Sequence, residues 1–221
     1  MSDSIDLFRR GVKTWYAKNR RDFYWRREKL SPYEVLILEI MLQKTRAEKV
    51  EEIFPGFVSK YVCPKTLAFT PIEELERDLL PLGLYKRRAS LIKRTAELIC
   101  TRFGGEIPKD YNSLLELPGV GQYIASAVLC FGFGEKIIPV DVNVKRLLER
   151  VFNVEVKNIR RLDNRVSNFL STILANEEDV RDLVWAILDF AALVCKKRDP
   201  NHEKCPIREI CNYYSNFVAS K

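Results

Sequence analysis

Five residues, Leu117-Pro118-Gly119-Val120-Gly121, constrain this chain more than any others. A proline and two closely spaced glycines cannot continue a helix, yet helix-forming segments flank them, Tyr111 to Glu116 and Gln122 to Phe131. The chain is therefore predicted to reverse in a tight hairpin, with Gly119 and Gly121 supplying positive φ and close backbone approach. Such a hairpin presents backbone N–H groups and a helix N-terminus, which suits a phosphate. Downstream, Asp141 follows the apolar run Ile137-Ile138-Pro139-Val140 and precedes a helix from Val142 to Val151. A plain N-cap is one reading of Asp141, and a catalytic carboxylate is the other. Asn143 is spaced to cap or to orient that carboxylate.

The rest of the chain reads as helix, because i, i+3, i+4 apolar spacing recurs and period-2 alternation is rare. Ile5 to Lys18 is amphipathic, with Leu7, Val12, Trp15 and Tyr16 as its apolar positions. Asn19 to Leu30 is a basic, aromatic connector in which Trp25 is expected to tuck into the core. Ser31-Pro32-Tyr33-Glu34 is a capping box with proline at the first helical position. The helix it opens, VLILEIMLQ, is apolar on every side and so should be buried. Glu39 interrupts it. A carboxylate there is either paired in a structural ion pair or raised in pKa by desolvation and poised as an acid, and the apolar surroundings favour the second.

Gln43-Lys44-Thr45 ends that helix, and another runs to about Tyr61, kinked at Pro55-Gly56. Thr70-Pro71-Ile72-Glu73 reads as a second capping box, for a helix to Leu79. Pro81 to Tyr85 is a turn with apolar side chains. Lys86-Arg87-Arg88 opens a long helix that Phe103-Gly104-Gly105 stops. Basic residues at a helix start oppose the dipole, which fits phosphates nearby or a solvated turn. Asn158 to Ala175 and Val180 to Lys197 are predicted as the last two long helices.

The 221 residues carry a net charge of +7, which favours a polyanionic partner. Met1 to Arg10 lacks the apolar core of a signal peptide, and runs such as Val35 to Leu42 are too short to span a membrane. A cytoplasmic, nucleoid-associated protein is expected, with no membrane partner and with its six cysteines reduced. Cys63, Cys100 and Cys130 are expected to pack as small apolar residues. The others lie beside the chain's one histidine in the pattern Cys195-x6-His202-x2-Cys205-x5-Cys211. Three thiolates and an imidazole suit tetrahedral zinc or an iron–sulfur cluster, and spacing does not separate these from a tail without metal.

FYWRREKLSPYEVLILEIMLQKT, GLYKRRA, LPGVGQYIASAV, VDVNVKRLLER and the cysteine-rich tail together resemble, over nearly the whole length, the helix-hairpin-helix (HhH-GPD) DNA glycosylases. That superfamily includes endonuclease III, the MutY-type adenine glycosylases and the MIG-type thymine glycosylases for G·T mismatches. The resemblance implies an all-α fold of two helical lobes flanking a DNA groove. One is a six-helix barrel lobe at 26–135 carrying the hairpin 117–121. The other is a discontinuous lobe of 1–25 and 136–221 with the cluster loop 195–211. Asp141 and Glu39 are expected to face each other at the boundary.

The resemblance also assigns roles. Asp141 aligns with the essential aspartate, which stabilises an oxocarbenium-like sugar once the target nucleotide has been flipped out of double-stranded DNA. Bifunctional members carry a lysine where this chain has Tyr123, so hydrolysis without a Schiff-base lyase step is implied. Tyr123 and Glu39 match the thymine branch. Gln43, Lys44, Thr45, Leu84, Lys86, Leu117, Gly119, Val120, Gly121 and Asn143 fall where the family meets DNA, with Leu84 as the wedge and Gln43 in the gap. MLQKT leans instead toward the adenine glycosylases, whereas the chain stops without their C-terminal domain. In the tail His202 replaces the second of four family cysteines, implying a [4Fe–4S] cluster on Cys195, His202, Cys205 and Cys211. Lys196, Lys197, Arg198 and Lys204 are then placed for the DNA backbone. The expectation is a monomeric, monofunctional enzyme that removes thymine or uracil mispaired with guanine. An adenine glycosylase is the enzymatic alternative, and a non-catalytic damage-binding protein is the rival of another class.

Overall fold

The computed structural model describes residues 2–159 and 161–219, and among these the protein is all-α. The chain forms two compact units: residues 22–133 make a central unit, and the described residues on either side make a terminal unit. In chain order, α1 (Ser2–Asn19) opens the terminal unit. The central unit runs through α2 (Tyr24–Arg27), α3 (Pro32–Leu42), α4 (Ala47–Lys60), α5 (Pro64–Phe69), α6 (Ile72–Leu79), α7 (Tyr85–Arg102), α8 (Tyr111–Leu115) and α9 (Gln122–Ala127). The terminal unit resumes with α10 (Val142–Phe152), α11 (Asn164–Leu174), α12 (Arg181–Leu193) and α13 (Asn212–Ala219). Among the described residues no helix is long and apolar enough to cross a membrane.

The central unit is built around α3. Its capping box forms as expected: Glu34 N donates to Ser31 Oγ at 3.3 Å, and Ser31 N donates to the Glu34 carboxylate at 2.7 Å. Every residue from Val35 to Met41 is buried. α4, α7, α9 and the π turn Val128–Gly132 pack around it. The closest approach is at Gly132, where an added Cβ would lie 2.6 Å from Pro32 Cα. Trp25 is buried, stacked on Phe23 at 4.7 Å and edge-on to Phe54 at 6.2 Å. α4 runs unbroken through Pro55.

In the terminal unit α1 and α10 both pack on α12. Phe8, Phe152 and Phe169 form an edge-to-face chain with centroid spacings of 5.1 and 5.0 Å. Asp189, fully buried, accepts from Arg21 Nε at 3.0 Å and Nη2 at 2.5 Å. This is an ion pair between α12 and the end of the first segment.

Several expectations need correcting. The buried stripe of α1 is Ile5, Phe8, Val12 and Tyr16, while Leu7 is exposed. Thr70 does not cap α6, because its hydroxyl donates backward to Thr66 O at 2.7 Å and closes α5. α11 starts only where Asp163 accepts from Val166 N at 2.9 Å. α12 stops at Leu193, and the carbonyls beyond it are taken by arginines of α10 instead of by helical N–H groups. Cys130 is buried, but Cys63 and Cys100 are only half-buried. Cys63 is the N-cap of α5, and its backbone N–H donates to Thr66 Oγ1 at 3.3 Å.

Gly132→Ala should cost about 1–3 kcal/mol, because backbone sets the clash and cannot yield as a side-chain tip does. Gly56→Ala, in α4 with open space around it, should stabilise by about 0.5–1 kcal/mol. Denaturant unfolding of both variants checks the pair. Equal and small effects would contradict the close approach of Gly132 to Pro32.

Candidate functional site

In the central unit the burial of α3 creates the first feature. Glu39 is 4% exposed. Burial pushes its carboxyl up to about 7, and the Arg26 guanidinium pulls weakly the other way. Near neutral pH the group therefore spends much of its time as a neutral acid that can donate a proton.

The second feature is the turn after α3. Gln43 and Lys44 are exposed, and Lys44 is left-handed with φ 57. Gln43 Nε2 donates to Gly119 O at 3.0 Å, tying this turn to the hairpin. Thr45 Oγ1 donates to Leu82 O at 3.4 Å. Leu82 and Leu84 belong to the loop before α7, where Leu82 is buried and Leu84 is 56% exposed. Lys86, on the first turn of α7, is exposed.

The hairpin closes through Val120 N donating to Leu117 O at 3.1 Å, with both side chains buried. Gly119 has φ +74 and lies against Leu91, so the expectation for it holds. Gly121 does not need positive φ: it is extended at φ −99, and a Cβ there would meet nothing within 4 Å. Gly121 is the N-cap of α9 and gives it no side-chain cap, so the start of this helix suits an outside acceptor. Tyr123 is half-buried on that first turn.

In the terminal unit Asp141 caps α10. Its Oδ1 accepts from Asn143 N at 2.9 Å and Val144 N at 2.8 Å, and its Oδ2 accepts from Asn143 Nδ2 at 2.8 Å. The capping reading of Asp141 is thus real, and Asn143 orients the carboxylate as expected. One oxygen takes both backbone bonds, so the other meets only an amide. Arg146 extends the network, its Nη2 donating to Asn143 Oδ1 at 3.0 Å and to Ala191 O at 2.8 Å, and its Nε to Cys195 O at 2.7 Å.

Cys195, His202, Cys205 and Cys211 all line one small pocket, partly open to solvent. Among the described residues no group of three His, Cys, Asp or Glu side chains is placed to hold a metal ion. Burial pushes the Cys205 thiol up to about 11 and raises Cys211 as well, so a cationic partner is needed to hold them as thiolates. Arg150 Nη1 lies 3.8 Å from Cys195 Sγ, donates to Lys196 O at 2.6 Å, and stacks 4.4 Å over Tyr213. Lys196, Lys197, Arg198 and Lys204 are exposed.

Residues 37–170 match the HhH-GPD family, described as the superfamily of base excision DNA repair proteins. The chain belongs to that superfamily. An HhH-GPD relative, the thymine/uracil-DNA glycosylase of Methanothermobacter thermautotrophicus, is 34% identical over 92% of this chain and 91% of its own. The adenine DNA glycosylase of Mycobacterium tuberculosis is 32% identical over 87% of this chain and 63% of its own length. The solved structure of a thermostable thymine-DNA glycosylase superposes with a TM-score of 0.88 at 33% identity, covering 97% of this chain and 98% of that one.

Three arginines that the HhH-GPD site leans on escaped the sequence reading. Arg88 was seen only as part of a basic run, yet it is 5% exposed. Arg146 and Arg150 stand one helical turn apart on α10, and that i, i+4 spacing facing a cysteine-rich loop is the signal that identifies them.

The Glu39 carboxyl makes stability pH-dependent. Its folded value of about 7 lies above the ordinary 4.5, so the folded state holds the proton more tightly. That stabilisation is complete below pH 4.5 and is lost as pH rises through 7, a change on the order of a few kcal/mol. Glu39→Gln should flatten this dependence in urea unfolding measured across the window. A variant whose stability falls with pH as steeply as the wild type would contradict the burial argument.

Proposed function

We propose that this protein is a monofunctional DNA glycosylase that hydrolyses the N-glycosidic bond of thymine or uracil paired with guanine in double-stranded DNA. The observation that carries the reading is the end-to-end similarity to a thymine/uracil-DNA glycosylase, with Tyr123 in place of a lysine nucleophile. A phenol forms no Schiff base, so water is the nucleophile that ends the reaction.

Each role follows from the chemistry of its group. The hairpin holds a phosphate through backbone N–H groups, with help from Lys44 and Lys86. Leu84 fills the stack as the nucleotide leaves, and Gln43 occupies the gap. As the bond between C1′ and the pyrimidine nitrogen breaks, the Asp141 carboxylate stabilises the positive charge developing on the sugar. Glu39, neutral for much of the time near pH 7, donates a proton to the departing base. Water adds at C1′ and loses its proton to Asp141 or to solvent. Tyr123 packs beside the extruded pyrimidine.

Cys195, His202, Cys205 and Cys211 hold a [4Fe–4S] cluster in this reading, supported by the pocket they share. When bound, the cluster supplies a rigid loop that carries Lys196, Lys197, Arg198 and Lys204 to the DNA backbone. The enzyme acts as a monomer in the compartment that holds the DNA.

A second reading, an adenine glycosylase, draws on the 32% identity to an adenine DNA glycosylase and on Gln43-Lys44-Thr45. Base release from duplexes holding G·T, G·U, A·G or A opposite oxidised guanine separates the two. Release from G·T and G·U without strand cleavage is expected, and release of adenine alone would sink the first reading. Protein purified anaerobically should absorb at about 400 nm and carry about four irons per chain. A colourless protein with one bound zinc would exclude the cluster.

A further inference from the structure

Arg88 is a buried cation that the chemistry above does not use. It closes the first turn of α7, 5% exposed. Its Nη1 donates to Ile40 O at 2.6 Å and Met41 O at 2.9 Å, and its Nη2 donates to Gln43 O at 3.3 Å and Thr45 Oγ1 at 2.7 Å. Among the described residues no carboxylate acts on it, and its Nε is buried without any partner. Burial lowers its pKa accordingly. A cation buried among neutral acceptors, with one donor unmet, is an expensive way to end a helix. A capping side chain or a glycine after α3 would close it at less cost.

The arrangement around Arg88 gives a reason for that cost. Among the described residues only four non-glycine residues have positive φ, and two of them, Lys44 at 57 and Leu84 at 50, flank this guanidinium. Its four bonds hold the backbone before Lys44 and the Thr45 hydroxyl after it. Its own backbone N–H donates to Leu84 O at 2.9 Å, the first helical bond of α7. Thr45 ties the two loops together through Leu82 O. Between them lies an open pocket lined by Gln43, Lys44, Leu84 and Arg87. One side chain therefore holds two exposed turns, Gln43–Thr45 and the Leu84 loop, each carrying a left-handed residue, at a fixed separation.

We propose that Arg88 is the positioning residue that locks the Gln43–Thr45 turn and the Leu84 loop into one rigid pair, whose spacing drives and holds the extrusion of the target nucleotide. This rests on the glycosylase reading above. Arg88 touches no substrate; it acts through Gln43 and Leu84. A residue that merely closed α3 would support all DNA binding equally, whereas a residue that spaces the two turns matters only when a nucleotide leaves the stack.

The test uses a duplex holding thymidine opposite guanine, with a 2′-fluorine on the thymidine so that the base is not released, and 2-aminopurine as its neighbour. Fluorescence reports extrusion, and anisotropy on a fully matched duplex reports ordinary binding. Arg88→Met keeps the bulk of the stem and removes the fork. It should lose at least about fivefold of the fluorescence rise while matched-duplex affinity stays within about twofold. Arg88→Lys, which keeps the charge and the stem but replaces the fork by a single donor group, should show the same selective loss to a smaller degree, and it decides the matter if Arg88→Met does not fold. Retention of the rise in both variants, or a parallel fall of fluorescence and matched-duplex affinity, overturns the proposal. If the wild-type protein gives no rise and also releases no base from any mismatched duplex, the glycosylase reading fails and this inference falls with it.

Discussion

α3 has no solvent face, and the central unit is arranged to make that tolerable. A helix buried on every side must settle its polar ends and any polar side chain internally. Ser31 and Glu34 settle the start. The Arg88 guanidinium settles the end by covering the Ile40 and Met41 carbonyls. Glu39, in the middle, is settled by holding a proton more readily than an ordinary carboxyl does. The same burial that stabilises the unit thus generates an acid near neutrality and fixes the turn that follows the helix. Gln43, Leu84 and the hairpin all take their positions from that turn.

The terminal unit has its own organiser in α10. Its N-cap is the carboxylate given the catalytic role, and its later turns carry Arg146 and Arg150 into the cysteine-rich loop. Asn143 links the two, since it donates to Asp141 and accepts from Arg146. Capping and catalysis are compatible in Asp141 because they use different oxygens. Oδ1 is spent on Asn143 N and Val144 N, which fixes the side chain without consuming all of its charge.

The parts legible from sequence were those with local causes. The capping box at Ser31, the all-round apolar helix, the positive φ of Gly119 and the stop at Phe103-Gly104-Gly105 each depend on residues within a few positions. Features that depend on distant partners were misread or missed. Thr70 matched a capping pattern but found Thr66 O behind it. Gly121 looked like a conformational requirement, yet its backbone is extended. α12 was read too long because nothing nearby says that Arg146 and Arg150 claim the following carbonyls. Arg88 looked like one of three solvated cations until tertiary packing enclosed it. The hairpin turn and the capping of α10 by Asp141 with Asn143 were legible because each is a short, spaced pattern. Which of their atoms are already engaged was not.

The central claim is that Asp141 does chemistry in addition to ending a helix, and Asp141→Asn tests it most directly. Asparagine still offers one oxygen to Asn143 N and Val144 N, so the start of α10 should survive; its amide then faces the Asn143 amide donor to donor, and the protein should remain folded at a cost of about 1–2 kcal/mol. The charge that stabilises the sugar cation is removed. The account predicts unchanged affinity for a G·T duplex and a fall of at least about 100-fold in single-turnover thymine release. Release within a few-fold of wild type from a folded Asp141→Asn protein would contradict it and leave Asp141 as a cap alone.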